Sequence, residues 1–480
     1  MSRKILWIAS ALVVLVALLI FTRELWQQGA STPPVAEKHA PAKAEGAWSL
    51  EQAARPYRGT TIRLIGEDYA PLQAIEKLKG DFEEVTGIKV EVERYEAEAV
   101  LQKIAFDLNS GMGRYDLLVQ VYFDMGRLVV NGQLHELGSF FNDEALHDPS
   151  FYPKTQLFPV WETMGKYENQ LYGYPMMVLT MYMWYRKDLL ENPAEQKAFR
   201  EKYGYELAPP RNWDQYRDIA EFFTRPDNNL YGTLIQGKKH MALWQEYLNF
   251  LYSFGGQILE TQNPSEYGPI AINSPEAIKA TEYYKSLLKF SPKDSLNFTW
   301  DDALALMQQG RVAQCLMWTD ATYALEDPEQ SKVVGKVGYA VNPAGPKGSI
   351  HQIGGQSYYI PKTSKNPRAA YLFMEWMMRP DIQIRQQQLG GASPRKSTYQ
   401  DPEVLVLPWT EASIAALEQT HPAMLYTFPE SLQIGEVIKS ALSDALAGIR
   451  AVPDALNWAA LEIKRLLGDK AELKYPTANP

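Results

Sequence analysis

The chain has 480 residues, 46% hydrophobic, 22% charged and 12% aromatic, a globular composition with room for two or three well-filled cores. Its 48 basic and 57 acidic residues leave a formal charge of −9 with no basic stripe, which argues against a polyanion partner such as nucleic acid. The single cysteine, Cys315, excludes an intramolecular disulfide; within AQCLMW it reads as a small buried hydrophobe, and no cysteine follows the apolar leader where a bacterial lipid anchor would attach.

Arg3 and Lys4 precede an apolar run over residues 5–21, ILWIASALVVLVALLIF. That length is short for a spanning helix and long for a signal-peptide core, and Thr22-Arg23-Glu24-Leu25 carries no small-residue cleavage signal. Residues 1–25 therefore read as an uncleaved signal anchor with its positive end in the cytoplasm; the alternative is a signal peptide cleaved near Ala42-Lys43-Ala44. Residues 26–56, rich in Ala, Pro, Lys and Glu, read as a disordered tether. On either reading the body is exported to the periplasm or to the outer face of the cytoplasmic membrane.

The body opens on a β-α-β unit. A β-rich run at 61–65 ends in the polar turn Gly66-Glu67-Asp68-Tyr69, Ile75, Leu78 and Phe82 recur at helical spacing, and Gly87 stops the helix. Ile88, Val90 and Val92 then alternate with charged residues as a second strand. The first loop of such a unit lies at the carboxyl end of a strand, where open α/β sheets bind small molecules. A helix over 100–110 and a strand in YDLLVQVYF follow. Helical patterns dominate thereafter, over 213–223, 243–254, 275–290, 300–309, 368–378 and 431–446, with start signals at Asn212, at Ser274-Pro275 and at Asn366-Pro367. The alternation predicts an α/β fold with mostly parallel sheets. The chain is too long for one core yet has no Pro/Gly-rich divider, which predicts two discontinuous lobes.

Catalytic signatures are missing. His135-Glu136 has no second histidine one helical turn on, and neither Gly354-Gly355-Gln356-Ser357-Tyr358 nor Gly390-Gly391-Ala392-Ser393-Pro394 has the glycine a nucleophile elbow needs after its serine. Gly111-Met112-Gly113 precedes a strand rather than following one, so it reads as a turn. Six histidines and one cysteine, scattered, predict no metal site, and no cofactor is implied. A glycosidase pair of distant carboxylates stays open, because that chemistry imposes no local spacing.

Several blocks, in order from about residue 60 to 468, resemble family 1 extracellular solute-binding proteins, the sugar-capturing subunits of ABC importers. They are FEEVTGIKVEVE, GRYDLLVQVYFDMGRLVVNGQLHEL, LYGYPMMVLTMYMWYRKDLLE, PPRNWDQYRDIAEFF, DDALALMQQGRVAQCLMWTDATYAL, and the long run from GGQSYYIPKTSKNPRAAYLF to GGASPRKS. The chain departs from the family pattern at Arg186, where asparagine is usual, and at Asn212, where threonine is. The resemblance implies a two-lobe periplasmic-binding-protein fold with three hinge crossings and a ligand cleft between lobes. The N-lobe would hold residues 57–176 and 356–410, and the C-lobe 177–355 and 411–475. It further implies a monomeric, non-enzymatic subunit that captures a carbohydrate or polyol and delivers it to ABC permease subunits. The alternatives are a binding protein or sensor for an amine or peptide, and an exported glycoside hydrolase.

Sugar hydroxyls need convergent donors and acceptors, and their C–H faces need flat aromatic surfaces. Loops mixing the two are the candidates. Glu67, Asp68 and Tyr69 form the first, with Glu67 or Asp68 serving instead as a helix cap as the alternative. The resemblance places Gln120, Tyr122 and Asp124 in the second, against a solvated edge with Tyr122 packed inward. It also puts the ligand-stacking aromatic at Trp318, beside Thr319 and Asp320, against a core tryptophan. Lys238, His240 and Trp244 follow a strand where the family contacts ligand, against a helix start and a core Trp244. Gly354, Gly355 and Gln356 read as the returning hinge, with Gln356 and Tyr358 facing ligand and Arg395 a weaker candidate. The stripe Tyr182, Trp184, Tyr185 reads as a strand packed against its own lobe.

Overall fold

The computed structural model describes residues 48–421 and 424–477, so the expected anchor and most of the expected tether lie outside the described residues. Among the described residues, no helix is long and apolar enough to cross a membrane. The tail of the expected tether is folded. Residues Leu50–Ala54 are a helix capped by the Ser49 hydroxyl, with Leu50, Ala53 and Ala54 buried at helical spacing. In an alanine-rich stretch that period is easily lost.

The strands are β1 (Thr61–Glu67), β2 (Lys89–Tyr95), β3 (Leu117–Val121), the small hairpin β4 (Lys166–Tyr167) and β5 (Gln170–Leu171), then β6 (Gly173–Pro175) and β7 (Leu179–Arg186). They continue with β8 (Gln314–Trp318), β9 (Val337–Ala340), β10 (Ile353–Gly354) and β11 (Gln356–Tyr359). One sheet has the order β2-β1-β3-β11-β6; the other is β10-β7-β8, with β9 also paired to β7. Each sheet anchors one lobe.

The expectation of mostly parallel sheets is corrected. Among the strands of the described residues, only the pairs β1–β2 and β1–β3 are parallel, joined by helices that run back along the sheet. β11 returns from the second lobe in the opposite direction and pairs antiparallel with both β3 and β6. The second sheet is antiparallel throughout, built on β7. The apolar run of β7 is buried on both faces: Met181 and Met183 pack into one core, Tyr182 and Trp184 into another. That is the packing expected of the aromatic stripe. Cys315 is likewise buried in β8.

Local signals explain most helices. Helix Ala70–Thr86 buries Leu72, Ile75, Leu78 and Phe82 and ends where Gly87 takes a left-handed conformation at φ 69°. Phe82 meets Phe373 and Trp376 of helix Pro367–Met377, at ring separations of 5.0 and 5.5 Å. Asn212 and Ser274 cap their helices through side-chain oxygens. Asn366 does not cap its helix; its amide reaches the Thr61 carbonyl and Asp116. Asp116 pins this corner of the first lobe. It accepts from the Arg63 amide at 3.1 Å, the Ser364 hydroxyl at 2.8 Å, and the Lys365 and Asn366 amides at 3.1 and 3.0 Å.

The chain passes from the first sheet to the second between β6 and β7 and returns at Gly355, between β10 and β11. Residues Pro402–Leu405 pack on helix Pro380–Gln388, while Trp409 belongs to the core of Tyr182 and Trp184. Helices Ser431–Leu446 and Val452–Leu467 pair with each other and close the second lobe over Met241–Phe254 and Pro275–Ser286.

Candidate functional site

The two lobes enclose a cleft of about 780 Å³, within the size range of small-molecule sites. The wall of the first lobe begins where β1 ends. Tyr69, not an acidic residue, is the N-cap of the following helix and makes no side-chain cap. Glu67 and Asp68 are therefore released from the capping alternative. Asp68 instead accepts from Gln73 Nε2 at 3.1 Å and Arg94 Nη1 at 3.0 Å. Glu67 Oε2 accepts from Gln356 Nε2 at 2.7 Å, and Gln356 Oε1 accepts from the Tyr69 hydroxyl at 3.0 Å. This chain of bonds ties the tip of β1 to the start of the returning strand and leaves Glu67 Oε1 without a partner among the described residues.

The second lobe contributes Trp318 and Asp320 after β8, Trp300 and Asp301 at the start of helix Trp300–Gln308, and His240 with Gln245 from helix Met241–Phe254 and its cap. His240 caps that helix by accepting the Ala242 amide on Nδ1 at 3.2 Å, which turns Nε2 toward Glu96 Oε1, 3.8 Å away in the first lobe. Its ring also meets Trp300 edge to face at 4.7 Å. Burial lowers the pKa of His240, against the opposing fields of Glu98 and Glu96. Trp318 is only 6% exposed, whereas Trp300 is half-buried; both line the cleft.

Gly354 and Gly355 are required by close approach. A Cβ on Gly354 would stand 2.8 Å from the Trp318 ring; one on Gly355 would stand 2.5 Å from the Met177 carbonyl, at a φ of 142° that side chains rarely adopt.

Of the residues singled out from sequence, Glu67, Asp68, Tyr69, Lys238, His240, Trp318, Asp320, Gly354, Gly355 and Gln356 line the cleft. The other five lie elsewhere. Residues Tyr122–Asp124 form a 3₁₀ turn instead of extending β3, so the alternation shifts: both Tyr122 and Phe123 are buried, and it is Phe123 that lines the cleft. Asp124 is held by Arg127 at 2.7 and 2.6 Å and by Gln120 Nε2 at 3.2 Å, a closed network inside the first lobe. Trp244 packs edge to face on Phe123 at 6.0 Å and lines a separate cavity of about 260 Å³. Tyr358 is fully buried in the sheet behind Gln356. Arg395, the weaker candidate, donates to the Met378 carbonyl within the first lobe.

Sequence reasoning missed Phe123, Trp300, Asp301, Glu96, Glu98 and Gln245. The signal for Trp300-Asp301 was a Thr-Trp-Asp-Asp helix start, in which Thr299 and Asp302 form the capping box and Trp300 is left to face outward. Gln245 carried no signal. It is 5% exposed, and its side-chain amide lines the cleft with no hydrogen-bond partner among the described residues.

Burial pushes the Glu67 carboxyl from 4.5 up to about 8, with the charge of Asp320 adding to the push and the Gln356 amide opposing it. Burial also pushes Asp320 from 3.8 up to about 6, against the backbone amides of Asp320 and Ala321. Among the described residues, no cluster of His, Cys, Asp and Glu is arranged to hold a metal ion.

The architecture and the cleft between lobes match a known group. The model of the bacterial extracellular solute-binding protein family matches residues 66–384. The chain belongs to this family. This solute-binding protein is 24% identical to a probable amino-acid ABC transporter periplasmic-binding protein of Sinorhizobium fredii, over 84% of this chain and 88% of that one. It is also 24% identical to a mannitol-binding protein of Pseudomonas aeruginosa, over 77% and 85% of the two chains. Among solved structures, an ABC transporter solute-binding protein of Agrobacterium radiobacter in complex with ribitol superposes with a TM-score of 0.75 at 25% identity, covering 85% of this chain and 99% of that one.

The titration of Glu67 has a sign that can be tested. The folded protein keeps a proton that the unfolded chain releases above pH 4.5, so the contribution of this group is fully present below pH 4.5 and is lost as pH rises toward 8. Glu67→Gln keeps an acceptor for Gln356 and removes the titration. The variant is expected to lose less thermal stability than the parent between pH 4.5 and 8, measured by scanning calorimetry without ligand. Identical pH slopes would contradict the assignment.

Proposed function

We propose that this protein captures a carbohydrate or polyol outside the cytoplasmic membrane and hands it to ABC permease subunits. The observation that carries the reading is the interlobe cleft itself. Half-buried Trp300 and Tyr69 with Phe123 offer apolar faces, while Glu67, Gln245, Asp320 and His240 offer hydrogen-bonding atoms from both lobes. A ligand touching both walls stabilises the closed arrangement over the open one, and closure by hinge motion follows from that differential contact. The mannitol-binding relative and the ribitol-bound neighbour support the choice of solute. The lobes would divide near residues 176, 355 and 410, and the apolar run at 5–21 would direct export or hold the protein at the membrane.

A thermal-shift screen with hexitols, pentitols, monosaccharides, maltooligosaccharides, amino acids and short peptides tests this directly. Binding to the folded state raises the melting temperature, with about 2.7 kcal/mol of stabilisation at a hundredfold excess over Kd. A shift with at least one carbohydrate or polyol is expected, and Trp300→Ala should weaken it about tenfold through lost ring contact. Stabilisation by amino acids or peptides alone would overturn the reading. The Glu67–Asp320 pair also has the make-up of a glycosidase acid and base. Release of nitrophenol from nitrophenyl glycosides would replace capture with hydrolysis.

A further inference from the structure

The charges around the cleft are unevenly satisfied. Six carboxylates line it, Glu67, Asp68, Glu96, Glu98, Asp301 and Asp320, against two lysines, Lys238 and Lys239, both exposed at the mouth. Of the carboxylates near the rim, Asp68 and Glu98 have cationic neighbours, Arg94 at 3.0 Å and Lys439 at 3.8 Å, and Glu96 has the His240 imidazole at 3.8 Å. Asp301 faces solvent. The two interior carboxylates are different. Glu67 receives only the neutral Gln356 amide and Asp320 only backbone amides, and neither has an ion-pair partner among the described residues. They stand on opposite lobes, at the ends of β1 and β8, within reach of each other's field.

Two unpaired carboxylates on facing walls oppose closure when both are ionised and nothing positive lies between them. Gln245 adds an independent sign of a ligand at the same place: it is 5% exposed, lines the cleft, and its side-chain amide has no hydrogen-bond partner among the described residues. The aromatic faces of Trp300 and Tyr69 suit both a sugar C–H face and a cation.

We propose that the ligand is a carbohydrate or polyol bearing a protonated amine, its ammonium seated between Glu67 and Asp320 and its hydroxyls meeting Gln245 and the rest of the wall. This rests on the carbohydrate-capture reading and narrows it. Burial raises the titration of both carboxylates, and an ammonium between them would favour the ionised form of each. Closure would then exchange a repulsion for two charge-assisted hydrogen bonds.

Calorimetric titration of the full exported body with matched ligands decides it: glucosamine against glucose and N-acetylglucosamine, and 1-amino-1-deoxyglucitol against sorbitol, with putrescine as a cation lacking hydroxyls. The amine of at least one set is expected to bind at least about tenfold more tightly than its neutral counterparts, with the ratio falling below about threefold in the Glu67→Gln, Asp320→Asn double variant. The parent protein supplies a check that needs no variant. Raising NaCl toward about 0.5 M should weaken the amine and leave a neutral ligand unchanged. Equal or tighter binding of the neutral member would overturn the cation site and leave carbohydrate capture standing. Binding of putrescine with no response to any sugar or polyol would overturn carbohydrate capture and the amino-sugar assignment together, as would silence from every ligand with circular dichroism showing a folded protein.

Discussion

Asp116→Ala is expected to lower the stability of the protein by about 3 kcal/mol or more, one of the largest effects available from a residue outside the cleft. The carboxylate receives five donors from two separate stretches of chain, the Arg63 amide on β1 and the Ser364 hydroxyl, the Lys365 and Asn366 backbone amides and the Asn366 side-chain amide that lead into helix Pro367–Met377. Asp116 is 5% exposed, so water cannot readily take over those donors. Each buried donor left unmade costs about 1–3 kcal/mol, and a charged acceptor sits at the upper end of that range. Asp116→Asn keeps one acceptor oxygen and should recover part of the loss. Urea unfolding followed by circular dichroism measures both variants; a loss under about 1 kcal/mol for the alanine would show that the hub is dispensable.

Gly355→Ala should be nearly as severe and should also reach function. Gly355 lies between β10 and β11 on the returning crossing, and its φ of 142° already disfavours any side chain. The added methyl would also stand 2.5 Å from the Met177 carbonyl on the outgoing crossing, so the two crossing segments must part. Strain and overpacking together predict a loss of about 2–4 kcal/mol. Because those segments set the angle between lobes, ligand affinity should also fall about tenfold. Gly204→Ala separates the two causes. Gly204 has a φ of 79° at a helix C-cap but open space where a Cβ would stand, so it should cost only about 1 kcal/mol and leave ligand binding unchanged. Equal behaviour of the two variants would show that the contact with Met177 plays no part.

The sequence was informative wherever structure depends on near neighbours. Helices Trp213–Phe223 and Ser431–Leu446 have the limits that apolar spacing and capping residues predict. β1 and the helix after it, the burial of the β7 stripe and the two-lobe architecture were also legible. Helix Val452–Leu467 was not singled out, although Ala455, Leu456, Ala459, Ala460 and Ile463 carry the helical period; small alanines weaken the contrast between its faces.

At the site, local pattern led to the right loops and in places to the wrong side chains. The polar, aromatic-bearing loops after β1 and β8 and the returning glycines do reach the cleft, because strand ends expose their loops wherever the sheet lies. Which residue of a loop faces inward depends on one backbone turn. The 3₁₀ geometry at Tyr122–Asp124 presents Phe123 in place of its neighbours. The pairing of charges is further still from local control. Glu98 meets Lys439, and Glu67 meets Gln356, across hundreds of intervening residues. Composition and periodicity thus determined the elements, since these rest on interactions within a few residues, and the order of the sequence blocks carried the family likeness. Only the tertiary structure decided which carboxylates are neutralised and which two remain unpaired inside the cleft, since Coulomb energy depends on distance through space and not along the chain.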